Sequence, residues 1–213
     1  VEACPRYLLQ SISNIDRSID TPKWMTDALV QSGLRSHNFL VDVTNYVLME
    51  LGQPLHAFDA DTIEGDIVVR LAQPAETITL LNEQTITLTG DELLIADDKG
   101  ALALAGIMGG QRSSVTDSTT NIVLESAFFN PLAIAARARR FGLHTDASQR
   151  FERGVDFELP ELALARAVDL ITSVTGSQAG QIVKVENIVH LPTRTPITLP
   201  ISKVREVIGI EIE

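Results

Sequence analysis

Cysteine is nearly absent from this 213-residue chain: Cys4 stands alone. A single thiol excludes an internal disulfide framework and any cysteine-based zinc site, and it fits a reducing compartment, so a cytoplasmic location is expected. No apolar run approaches the roughly 18–20 residues that span a bilayer, and the opening VEACPRYLLQ lacks a basic stretch followed by an apolar one. No membrane association is expected. No segment is rich in Pro, Gly and Ser or of low complexity, and 45% of residues are hydrophobic against 21% charged, which excludes disordered, collagen-like and coiled-coil chains. Also missing are GxGxxG, a Walker loop, HExxH, G-x-S-x-G and any histidine pair at metal spacing. Metal, nucleotide and serine-hydrolase chemistry therefore have no motif here, and no metal site is expected. The first residue is not Met and the sequence ends in IGIEIE just as an apolar pattern starts, so a segment of a longer polypeptide is expected.

What is present begins with charge. Seventeen basic against 28 acidic residues give a net −11, the wrong sign for a chain whose main partner is a nucleic-acid duplex. Between Arg137 and Arg153, however, five arginines face only Asp146 and Glu152. Such an island either holds a few phosphates of a single-stranded end or pairs with surrounding carboxylates.

The pattern reads as α+β: a large, mostly antiparallel or mixed sheet with helices at its sides. Residues 6–13 alternate as a strand, and Thr21-Pro22 reads as an N-cap and first-turn proline for a helix that Gly33 ends. FLVDV (39–43) reads as a buried strand leading into a short helix, TNYVLMEL, and GQPLHAFD (52–59) as irregular backbone framed by Gly and Pro. From Ile67 to Ala105 short β segments separated by turns predict an antiparallel meander. NIVLESAFF (121–129) is another strand, and Asn130-Pro131 starts a helix through IAARARR. GLHTDASQRFERG (142–154) gives a loop and a short amphipathic helix, a longer helix runs from Pro160 to Gly176, and a strand follows near 181–189.

Three features carry chemistry. His56 lies in the Gly/Pro-framed segment close behind Asp42, Thr44 and Asn45, polar residues within an apolar stretch; these four either form a site or satisfy one another across a turn. GIMGG (106–110) either brings backbone close to a ligand and turns N–H groups to an anion, or makes a tight turn between strands. Glu125 is a lone carboxylate in an apolar strand: buried it needs a partner, and outward it is a surface residue.

CPRY (4–7), VDVTNYV (41–47), GQPLHAFD, AGIMGG (105–110), LESAFF (124–129), HTDAS (144–148) and RFERGVD (150–156), in that order, resemble the editing module of the bacterial phenylalanyl-tRNA synthetase beta subunit. The resemblance covers roughly residues 4–190, giving a module over 1–192, and the tail from 193 to 213 resembles the incomplete start of the following domain. It implies a tetramer of two alpha and two beta subunits that ligates phenylalanine to tRNA with ATP and magnesium, at sites outside this segment. For the segment itself it implies no cofactor, and a site that hydrolyses tyrosine wrongly attached to the phenylalanine tRNA. Such a second site is chemically sensible. A hydrophobic pocket rejects an added hydroxyl by only about 10²-fold, whereas a site that hydrogen-bonds the hydroxyl rejects its absence by about 10⁴-fold or more.

By the resemblance, Glu125 is the tyrosine-recognising carboxylate, and Gly109 and Ala147 line the same pocket. His56, Thr44 and Asn45 lie near the ester carbonyl and the terminal adenosine, with His56 orienting water or substrate or acting as base, and Arg35 sits at the site edge to meet the tRNA end. Two further readings stand beside this one: a noncatalytic scaffold that guides the tRNA 3′ end through the Arg137–Arg153 island, and a free-standing hydrolase or small-ligand protein.

Overall fold

A computed structural model describes residues 2–210. The last three residues of the 193–213 tail thus lie outside the described residues. The first sheet is built from β1 (Arg6–Ser13), β2 (Leu55–Asp59), β9 (Ile122–Phe128) and β10 (Gln178–Glu186) in the order β10-β1-β9-β2, each pair antiparallel. The second contains β3 (Val68–Leu71), β6 (Leu93–Asp97), β7 (Gly100–Leu104) and β8 (Met108–Gly109) in the order β3-β6-β7-β8. Between β3 and β6 in sequence, β4 (Thr77–Thr79) and β5 (Thr85–Thr87) form a separate ribbon. The α+β class with antiparallel sheets and flanking helices is as expected; the strands divide into two four-stranded sheets and a ribbon.

The helices are α1 (Lys23–Gln31), α2 (Phe39–Leu51), α3 (Pro131–Ile134), α4 (Arg137–Arg140), α5 (Asp146–Arg153), α6 (Leu159–Thr175) and α7 (Ile201–Ile208). No described helix is long and apolar enough to cross a membrane.

Successive side chains of a strand point to opposite faces, and the first sheet is covered on both. Leu8, Ile12, Ala57, Ile122 and Leu124 pack with Met25, Leu29, Val43, Val47, Leu164 and Ala167 of α1, α2 and α6. The alternate residues Tyr7, Phe58 and Ala127 join a second core with Ile95, Leu102 and Leu104 of the other sheet and Phe151 of α5. Phe58 and Phe129 are fully enclosed, each contributing about 1.5–3 kcal/mol by burial. Glu125, between Leu124 and Ser126, therefore belongs to the face that meets the second sheet.

Several local expectations are corrected. Residues 39–43 are the first turns of α2, because the Asn38 side chain accepts from Val41 N and caps the helix, and Phe39, Leu40, Val43 and Val47 bury one face. That burial outweighs the few tenths of a kcal/mol of helix propensity lost at valine. Residues 55–59 are not irregular but form β2, paired to β9. Thr21 does not cap α1; its hydroxyl donates to Asp42 Oδ2. The helix expected through IAARARR is broken into α3 and α4 by Ala136, whose φ of +68° is left-handed.

Candidate active site

The site grows out of the register of the first sheet. On β9, Glu125 stands opposite Leu9 of β1 on one side and His56 of β2 on the other. Glu125, His56 and Gly109 line one cavity of about 300 Å³, with Leu81, Met108, Ala105, Ala147 and Phe151 among its apolar walls. A space of this size is at the small end of ligand pockets, of about 300–1,000 Å³, and takes a side chain rather than a nucleotide. Among the described residues, Glu125 and His56 are its ionisable lining residues.

Glu125 is buried, and a single described group hydrogen-bonds it: Tyr7 donates its hydroxyl to Oε2 at 3.0 Å. Burial raises its pKa to about 7, against a lowering from the Tyr7 hydrogen bond. The same burial, together with the charge of Glu125, holds the Tyr7 hydroxyl and the Cys4 thiol protonated well past neutrality. The lone-carboxylate question raised by the sequence is answered: Glu125 faces inward with one hydroxyl partner.

His56 is partly exposed as a residue, but its Nε2 is shut off from solvent and has no hydrogen-bond partner among the described residues. Burial lowers its pKa to about 4, so the imidazole is neutral at physiological pH. Its ring packs edge-on against Phe58 at 4.5 Å. Gly109 makes that placement possible, since a Cβ there would lie 2.8 Å from Nε2.

The other glycines of GIMGG serve the turn. Gly106 takes a φ of +68°. Ile107 N and Gly110 N donate to the carbonyls of Leu104 and Leu102, so the loop spends these N–H groups on the second sheet rather than on an anion. Ala147 is set at the cavity by α5, whose Thr145 cap accepts from Ser148 N while its hydroxyl reaches Ile107 O at 2.8 Å.

Of the residues the sequence singled out, the cavity brings together His56, Glu125, Gly109 and Ala147. Thr44, Asn45 and Arg35 do not line it. Thr44 lies on α2 and donates to the carbonyl of Val41 in its own helix, Asn45 follows it, and Arg35 is exposed in the turn before α2. Of the two readings of Asp42, Thr44, Asn45 and His56, mutual satisfaction is not seen among the described residues. Asp42 accepts from Thr21 Oγ1 and Ser36 Oγ, both at 2.6 Å, and from His37 N at 2.8 Å, which ties the loops around α1 together. The arginine island is largely neutralised: Arg140 pairs with Asp91 and Glu92, Arg137 with Asp91, Arg150 with Asp146 and Arg153 with Glu152. Leu81 and Phe151 line the cavity and Tyr7 holds Glu125, and none of the three stands out in the sequence, because each reads as an ordinary apolar or core position. No group of three or more His, Cys, Asp or Glu able to hold a metal ion gathers among the described residues.

Comparison with known proteins decides the family, since residues 3–176 match the B3/4 domain. The chain belongs to the B3/4 domain family. Over its full length this B3/4 domain chain is 92% identical to the phenylalanine–tRNA ligase beta subunit of Psychrobacter arcticus and 58% identical to that of Acinetobacter baylyi, spanning 27% of each relative. Its fold resembles an N-terminal fragment of the phenylalanyl-tRNA synthetase beta subunit from Pyrococcus horikoshii, with a TM-score of 0.54 at 15% identity, covering 100% of this chain and 58% of that one.

Proposed function

We propose that this B3/4 domain, as part of a phenylalanine–tRNA ligase beta subunit, hydrolyses tyrosine mistakenly esterified to the phenylalanine tRNA. The observation that carries the reading is the cavity itself: apolar walls sized for an aromatic side chain, with one buried carboxylate, Glu125, across the strand pair from a neutral His56. An apolar slot alone takes Phe and Tyr almost equally. A buried acceptor changes that, because Phe would leave Glu125 unanswered while Tyr donates its phenol hydroxyl to it.

The chemistry requires little more. A water oxygen adds to the ester carbonyl carbon, the bond from that carbon to the ribose oxygen breaks, and the ribose oxygen ends with a proton, giving tyrosine and intact tRNA. The ester is already activated, so positioning a water supplies much of the rate. His56 lines the cavity beside Glu125, and its imidazole is the group placed to orient that water. With a pKa of about 4 it is a weak base, so it orients water rather than removing a proton outright. Thr44, Asn45 and Arg35, outside the cavity wall, are assigned no step.

In this reading the partners are the tRNA 3′ end carrying tyrosine and an alpha subunit, in a cytoplasmic tetramer of two alpha and two beta chains. ATP and magnesium serve the ligation step elsewhere in that assembly. The scaffold alternative has less support, because four of the five arginines of its island pair with carboxylates. The test is deacylation of tyrosine-charged phenylalanine tRNA by the assembled enzyme. Glu125→Ala is expected to lower the rate at least about 100-fold, and an unimpaired rate in Glu125→Ala with His56→Ala would refute the hydrolytic reading.

A further inference from the structure

The hydrolytic reading leaves Tyr7 without a task. It is 7% exposed and stands opposite Ala127, two residues along β9 from Glu125, so both side chains share the face that meets the cavity core. A phenylalanine would bury the same ring. What the hydroxyl adds is its hydrogen bond to Glu125 Oε2, and Oε1 accepts none from any described residue.

A carboxylate with two unheld oxygens rotates about its last torsion and presents either one. Held at Oε2, it presents Oε1 alone. The geometry points to Tyr7 as a positioning residue for specificity: its hydroxyl fixes Glu125 Oε2 so that Oε1 meets the phenol hydroxyl of a bound tyrosyl group. The inference rests on the hydrolytic reading above and adds the residue that aims its carboxylate.

The surroundings of Glu125 support a second consequence. Cys4 and Tyr7 stay protonated, and His56 stays neutral above pH 5, so Glu125 alone of these groups titrates near pH 7. Tyr7 is the neighbour that favours its ionised form, the form that only accepts hydrogen bonds. Removing the hydroxyl raises the pKa of Glu125 and moves the rise of tyrosine selectivity to higher pH.

The experiment uses the full beta subunit assembled with its alpha partner, carrying Tyr7→Phe, Glu125→Ala, or 3-fluorotyrosine at position 7. Deacylation of tyrosine-charged and phenylalanine-charged tRNA is followed from pH 5.5 to 9. Tyr7→Phe is expected to lower the Tyr-over-Phe ratio of kcat/KM about tenfold and to raise its pH midpoint by about one unit. The fluorinated ring keeps its shape and donates more strongly, so the midpoint is expected to fall; it answers the question by itself if Tyr7→Phe assembles poorly. Loss of editing in Glu125→Ala with an unchanged ratio and midpoint in both position-7 variants would overturn the role of Tyr7 alone. Editing that survives Glu125→Ala would remove the hydrolytic reading, and this inference with it.

Discussion

Gly109 and His56 are in such close contact that a methyl group on the glycine would lie 2.8 Å from the imidazole Nε2. The absence of a side chain at one position therefore fixes the placement of the ring at the other. Gly109→Ala is expected to push His56 out of line and to narrow the cavity, with Leu81 Cδ1 at 3.2 Å closing the other direction. A misplacement of about 1 Å costs roughly 10²-fold in a positioned reaction, so hydrolysis of tyrosine-charged phenylalanine tRNA should fall by about that factor. Overpacking should cost about 1–3 kcal/mol in urea unfolding. Unchanged turnover would show that His56 does not orient the water.

Glu125 and His56 give stability opposite pH dependences. The folded pKa of Glu125, about 7, lies above its ordinary value of 4.5, so folding takes up a proton there. Its contribution is full below about pH 4.5 and is lost as pH rises through 7. The folded pKa of His56, about 4, lies below its ordinary 6.5; that contribution is present above 6.5 and lost as pH falls through 4. Between pH 4.5 and 6.5 the two slopes cancel, because folding discharges one proton from His56 and loads one on Glu125. Glu125→Gln should expose the histidine slope and His56→Gln the carboxyl slope, each about 2–3 kcal/mol across the window. Parallel unfolding curves for wild type and both variants at pH 5 and pH 8 would contradict these environments.

Arg140 is placed to test the guide reading against the ion pairs. It donates to Asp91, Glu92 and Thr89 at 2.7–2.9 Å, and Glu92 is fully buried. Arg140→Ala leaves that carboxylate without its cation and should lower Tm. The salt dependence of tRNA binding to the assembled enzyme should not change. A drop in its slope of about one, with Tm intact, would mean that Arg140 holds a phosphate.

How much of this was legible follows the range of the interactions. β1, β9 and α6 were readable because their patterns are long and periodic, and Glu125 stood out because a carboxylate interrupts one of them. The run at 39–43 was misread because a short apolar stretch looks alike in either period, and the deciding cap, Asn38, lies just outside it. β2 was hidden because its partner, β9, is about 65 residues away in sequence, and pairing between such distant segments leaves no local mark. Thr44 and Asn45 looked close to His56 along the chain, yet α2 holds Thr44 on its own backbone. Tyr7 gave no signal at all, since a phenol in an alternating strand reads as a core aromatic until its donor finds Glu125.

The central claim is that the cavity between the sheets prefers a tyrosyl to a phenylalanyl group through Glu125, and binding tests it without turnover. The measurement is calorimetric titration of this chain with two non-hydrolysable analogues, adenosine carrying tyrosine or phenylalanine through a 3′-amide. The tyrosyl analogue is expected to bind at least about tenfold more tightly at pH 8, an advantage that Glu125→Ala abolishes. Equal affinity of the two analogues, or a tyrosyl preference that survives Glu125→Ala, would contradict the account.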